Sequence, residues 1–251
     1  MKLLHRADAR GHGRFPGLES RHSFSFGSYH DPRNERVSVL RVLNDDRLAP
    51  GAGFPTHGHR DMEIVSFVLE GALAHRDSLG NTGTVRAGEM QVMSAGTGIR
   101  HSEYNGSDSE PMRFLQLWLL PDAAGHAPRW QQVDTAELVR SGGATRLVGP
   151  RGSDAPMTVH QEAAIDLVRL APGDTLTLAA TPGRVRFLHL TRGPGRLDER
   201  LVDDGDAVVL DGDARATLVA TDAPVEALLF DLPEGPVVFE GEPLPAAAAA
   251  A

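Results

Sequence analysis

The sequence predicts an all-β protein built as two β domains in tandem. Three observations carry that expectation. Short runs rich in β-branched and aromatic residues recur at regular spacing, each bounded by Gly, Pro, Asn or Asp. No convincing amphipathic helix of about 12 residues or more appears anywhere. The stretch Pro121-Asp122-Ala123-Ala124-Gly125-His126-Ala127-Pro128 is small, proline-flanked and weakly patterned, as expected at a boundary between two halves.

In chain order, Val37 to Leu43, Glu63 to Leu69 and Met112 to Leu119 read as strands of the first half. Glu70-Gly71, Leu79-Gly80-Asn81 and Ala87-Gly88-Glu89 supply turns between them. Gln131 to Arg140 reads as a short helix. The second half repeats the β style in Asp166 to Leu170, Val185 to Leu190, Ala207 to Leu210 and Ala227 to Phe230, with turns at Pro172-Gly173-Asp174 and Asp204-Gly205-Asp206. Short strands at this spacing suit a sandwich or barrel. The six alanines after Pro245 have no patterned face and read as a tail.

Composition excludes several chemistries. The 251 residues contain no cysteine, so disulfide scaffolds, zinc–thiolate fingers, cysteine-ligated iron–sulfur clusters and thiol nucleophiles are ruled out. Lys2 is the single lysine, which argues against Schiff-base catalysis. The net charge of −9 argues against direct nucleic-acid binding, because phosphate neutralisation needs clustered cations. Neither a signal-type apolar run nor a membrane-length apolar stretch is visible, and a cytoplasmic location is expected. The charge is uneven: residues 1–125 are close to neutral, whereas residues 126–251 carry a net −8. Histidine divides the other way, with eight residues in the first half and three in the second (His126, His160 and His189).

Chemistry concentrates in two short segments, Thr56-His57-Gly58-His59 and His101-Ser102-Glu103. In each, the two ligand-type residues are spaced i, i+2 and share one face of a strand. Two such strands facing one another inside a barrel would gather three imidazoles and a carboxylate around a point. That donor set suits Fe(II), Mn(II), Ni(II), Cu(II) or Zn(II) with coordination positions left open. Glu63 lies four residues beyond His59, about 13 Å along a straight strand at ~3.3 Å per residue, so Glu103 is the preferred carboxylate. Glu63 and Asn105 are then candidates for a place beside the ligands. His75, Arg76 and Asp77 read as organisers of the hairpin at Leu79-Gly80-Asn81, and His22 and Ser23 as residues able to approach a barrel mouth. Gln91 and Met93, and Gln116 and Trp118, have the same i, i+2 spacing and read as lining a cavity or core.

These segments resemble the cupin superfamily. Its first motif, G-x5-H-x-H-x3/4-E-x6-G, is matched by Gly51, His57, His59, Glu63 and Gly71, the last one residue late. The second, G-x5-P-x-G-x2-H-x3-N, is matched by Gly88, Gly98, His101 and Asn105, with two extra residues and no corresponding proline. With Arg21-His22-Ser23-Phe24-Ser25-Phe26, Leu40 to Asp46, His75 to Gly80 and Ser94 to Glu103, the chain resembles the pirin family of quercetinase-like bicupins, closely over residues 18–121. The second half resembles the family in length and β style only.

The resemblance implies two tandem cupin (jelly-roll) β-barrels: a metal-binding barrel over residues 1–122, a barrel without metal over 123–240, and a tail over 241–251. It implies a metal held by His57, His59, His101 and Glu103, Fe(II) in the first place, with Ni, Cu, Mn, Co or Zn as alternatives. It implies a monomer acting as a quercetin 2,3-dioxygenase-type oxygenase on a flavonol-like aromatic substrate, with Glu103 as the proton acceptor. The alternative it implies is a metal- and redox-dependent cofactor for another protein, docked through the acidic second half.

Overall fold

The computed structural model describes residues 1–139 and 142–245. Arg140, the end of the expected short helix, and the terminal alanines lie outside the described residues. Within them the chain is β throughout, and the helical element is one 3-10 turn at Ala7–Ala9.

Each half pairs a large sheet with a four-stranded one. In the first half the strands Gly53–His59, Ile99–Asn105, Ala72–Asp77 and Thr82–Arg86 form the small sheet, in that order. They close over a larger sheet centred on Leu40–Leu48, Met112–Leu119, Glu63–Glu70 and Glu89–Ser94. In the second half Thr175–Leu178, Ala216–Val219, Gly195–Leu197 and Arg200–Val202 form the small sheet. They cover a sheet centred on Ala164–Leu170, Val225–Pro233, Arg184–Arg192 and Ala207–Leu210. The segment expected to begin a helix at Gln131 belongs instead to a strand, Arg129–Asp134, antiparallel to Glu89–Ser94. Cross-strand pairing of Trp130 with Met93 and Gln132 with Gln91 overrides a weak local preference.

The two large sheets pack against each other and share one core. Val65, Phe67, Leu117 and Phe24 from the first half meet Phe187, Leu228 and Phe230 from the second. The rings of Phe24 and Phe187 lie 6.0 Å apart. This explains why Glu63–Glu70 is buried almost end to end although a half-exposed strand would alternate. Val65, Phe67 and Leu69 face the partner barrel, while Ile64, Ser66 and Val68 face the interior of their own.

Strands cross between the halves at both ends of the chain. Lys2–His5 joins the second half's large sheet beside Ala207–Leu210. In return, Val237–Val238 pairs with Arg36–Val37 of the first half.

Candidate metal centre

The small sheet of the first barrel assembles the site. His101 lies directly opposite His57 in the antiparallel ladder, and Glu103 lies opposite His75 on the other neighbouring strand. Between these pairings the register of Gly53–His59 against Ile99–Asn105 shifts, an irregularity at Pro55 and Thr56. Proline, which has no N–H to give the ladder, is at home in such a bulge, and a bulge re-aims the side chains beside it.

Three imidazoles converge as a result. The Nε2 atoms of His57 and His101 lie 3.1 Å apart. The His59 ring centroid is 4.7 Å from that of His57 and 4.9 Å from that of His101. Two donors each about 2.1 Å from one ion and at right angles to each other would sit about 3.0 Å apart, so this separation fits a shared cation. His57 donates its Nδ1–H to the Pro55 carbonyl at 2.8 Å, which leaves the Nε2 lone pair free. Burial, reinforced by His57, lowers the pKa of His59 to about 4 and that of His101 to about 2. Both rings are therefore neutral and ready to ligate at ordinary pH.

Glu103 is fully buried on the deeper side of His101. One of its carboxylate oxygens accepts hydrogen bonds from Gln91 Nε2 at 2.9 Å and Ser66 Oγ at 3.1 Å, and the other from Gln116 Nε2 at 2.9 Å. Burial outweighs these contacts and pushes its pKa up to about 7. Its carboxylate clusters within 4.8 Å with a nitrogen of His101 and one of His75, while His57, His59 and His101 form the other compact set. His101 thus belongs to both groups.

His75 is the residue that sequence reasoning passed over. It is buried, its ring stacks almost parallel on Trp130 at 5.3 Å, and its Nε2 lies 3.4 Å from Asp77 Oδ2. Asp77 does order the hairpin as well, accepting from the backbone of Leu79 and Asn81. Its i, i+2 spacing from His75 is the same signal that marked the other two pairs. The Nδ1 atoms of His75 and His101, in rings 5.5 Å apart, are both buried without a hydrogen-bond partner.

Glu63 and Asn105 occupy other places. The Glu63 carboxylate takes His160 Nδ1 of the second half at 3.0 Å and the Ser94 hydroxyl at 2.6 Å, forming a buried contact between the barrels. Asn105 donates to the Leu48, Ala49 and Glu110 carbonyls and accepts from the Ser107 N–H, so it ties a loop.

His57 and His59 open onto a pocket of about 430 Å³. Phe15, Leu18, Phe26, Phe54 and Trp118 give it apolar walls, and His22, Asn44 and Gln116 line it as well. His22 therefore reaches the cavity, where its Nδ1 bonds Asn44 Oδ1 at 2.8 Å.

Comparison with known proteins bears on both halves. A family model described as Pirin matches residues 5–119, and one described as the quercetinase C-terminal cupin domain matches residues 146–232. The chain is 38% identical over 235 residues to the quercetin 2,3-dioxygenase of Escherichia coli K12, covering 93% of this chain and 99% of that one. It is 46% identical over 221 residues to a Mycobacterium tuberculosis protein given the same name provisionally, covering 86% and 88%. The crystal structure of the bacterial pirin YhhW of Escherichia coli in complex with nickel(II) superposes with a TM-score of 0.86 at 37% identity, over 93% of this chain and 99% of that one.

Proposed function

The chain belongs to the pirin family of two-cupin proteins, and on that footing we propose that it is a quercetin 2,3-dioxygenase-type oxygenase. The observation that carries the reading is the convergence of three imidazoles at one side of an apolar, aromatic-walled pocket. We assign His57, His59, His101 and Glu103 as the donors for one divalent metal. Fe(II) is the first candidate, and Ni(II) stands beside it because of the YhhW complex. Such a metal supplies Lewis-acid activation of a phenolic oxygen and access to O₂ chemistry.

The remaining work falls to the chain. Phe26, Phe54 and Trp118 hold a flat aromatic body and keep bulk water from it. Glu103 takes up the proton of the substrate's 3-hydroxyl. Gln91, Gln116 and Ser66 hold its carboxylate in place for that transfer. In the overall reaction both atoms of O₂ enter the opened ester product, and one ring carbon leaves as CO.

The test is aerobic incubation of quercetin with protein loaded anaerobically with Fe(II), Mn(II), Ni(II), Cu(II) or Co(II). Loss of flavonol absorbance with release of CO is expected. No turnover with any of these metals overturns the assignment.

A further inference from the structure

The pocket has a second polar feature that the metal donors do not use. Ser20 and Asp46 are cross-strand partners, both buried and both lining the cavity. They lie two residues along their strands from His22 and Asn44, on the side where Leu18 and Phe54 pack against the barrel end. The Ser20 hydroxyl donates to Asp46 Oδ1. Asp46 has no cationic partner: the charged groups that act on it are the carboxyls of Asp45 and Glu103.

Its neighbour in sequence shows how unusual this is. Asp45 points to the opposite face of the strand, where Arg113 clamps it with two hydrogen bonds of 2.9 and 2.8 Å and Arg10 adds a third contact. Burial alone would raise the pKa of Asp45, yet the two arginines hold it at about 2. Burial raises that of Asp46 to about 7. A carboxyl buried with a single hydroxyl for company is costly to the fold. Asp46 makes no ion pair and caps no helix. What it does have is an oxygen without a protein partner, beside a cavity whose walls are otherwise largely hydrocarbon and aromatic.

We propose that Asp46, steadied by Ser20, determines specificity by binding a hydroxyl on the pendant ring of a polyhydroxylated aromatic substrate. The inference rests on the flavonol reading above and extends it to the part of the molecule remote from the reacting oxygens. A carboxyl suits a hydroxyl in either of its protonation states, accepting the O–H when ionised and donating to the oxygen when protonated. A site built this way disfavours an analogue that lacks the hydroxyl, because the buried carboxyl is then left unsatisfied.

Three flavonols that share the 3-hydroxy-4-keto edge test this: quercetin, kaempferol and galangin, with two, one and no hydroxyls on the pendant ring. Binding is read from quenching of tryptophan fluorescence, since Trp118 lines the pocket, and turnover from absorbance. The wild-type protein is expected to favour quercetin over galangin by about tenfold in affinity and in kcat/KM. Asp46→Leu should bring that ratio to within about twofold, Ser20→Ala should reduce it partly, and Asp46→Asn, whose amide both donates and accepts, should retain most of it. An unchanged ratio in a folded Asp46→Leu protein that still binds flavonols overturns the proposal. Discrimination lost in Asp46→Leu but without turnover in any form supports the subsite and overturns the oxygenase reading. No binding of any flavonol by the wild-type protein overturns both.

Discussion

The two barrels differ most in one row of side chains across the inner face of each large sheet. In the first barrel the row runs Gln91, Ser66, Gln116, Asn44, His22 in direct cross-strand register. In the second a corresponding row runs Asp166, Leu229, Leu188, Val208, Leu4. The first row holds a buried glutamate and lines a pocket; the second is hydrocarbon except at its edge, where Asp166 pairs with Arg146. Both barrels have the same kind of backbone, and the period-2 alternation of strands makes the substitution simple. Changing the inward residues at one level turns a packed interior into a site while the outward residues keep the shared core. The polar row is stable because its members bond one another or Glu103, and Gln91 also accepts from the Trp130 indole at 2.9 Å.

The contrast can be broken most completely at the small sheet. His101→Ala should lower metal affinity by more than about 100-fold, since even outer partners of a ligand are worth 10–100-fold. Elemental analysis after dialysis checks this, and full metal content in the variant would show that the histidines are not the donors. The reverse change, Leu188→Glu in the second barrel, places a carboxylate among hydrocarbon with nothing to bond it. A loss of about 3–5 kcal/mol in chemical denaturation at neutral pH is expected, with partial recovery in acid as the group protonates. A smaller effect is expected from His75→Phe, which keeps the stack on Trp130 but removes both ring nitrogens. The ring of His75 lies 5.5 Å from that of His101 with no hydrogen bond between them, so metal affinity should fall by no more than about tenfold and the fold should remain intact.

The smallest effects are in pH dependence, and they run in opposite senses in the two halves. Burial raises Asp46 and Glu103 to about 7, so each holds its proton more tightly in the folded state than in the unfolded. Their stabilising contribution is complete below the ordinary carboxyl range and is lost as pH rises through 7. The metal-free protein should therefore lose thermal stability as pH rises from about 4.5 to about 7, and Asp46→Asn should flatten the decline. In the second half, burial lowers His189 to about 3, with Arg10 acting in the same direction. Its contribution is present above about pH 6.5 and is lost as pH falls towards 3, so His189→Phe should weaken the acid limb of the stability curve. A scan in which both variants track the wild-type protein would remove the ionisable groups from the account.

Where the signal was local, the residues announced it. Met112–Leu119 and Ala207–Leu210 are strands over the residues their patterns indicate, and the paired spacing of His57 with His59 places both side chains on one side of the strand. Long-range effects were less visible. The strand at Arg129–Asp134 is dictated by its neighbour rather than by its own composition. The engagement of Glu63 with His160 joins residues 97 positions apart. His75 carried the right spacing, but its charged neighbours and the turn after it suggested a hairpin role, and Asp77 fills that role while His75 faces inward.

The exchange of end strands bears on how such a chain comes into being. Lys2–His5 leaves the ribosome about 200 residues ahead of the partners it needs, Ala207–Leu210 and Glu242–Pro243. Until those are made the second half's sheet is open at that edge, and Lys2–His5 has nothing to pair with. Val237–Val238, also late, closes onto Arg36–Val37. Completion of the first barrel's sheet therefore waits until Val237–Val238 of the second half has been made. Contacts of such long sequence separation are slow to form. The two crossing strands buckle the barrels together, and a cut in the boundary region would yield two fragments that must find each other again, not two independent barrels.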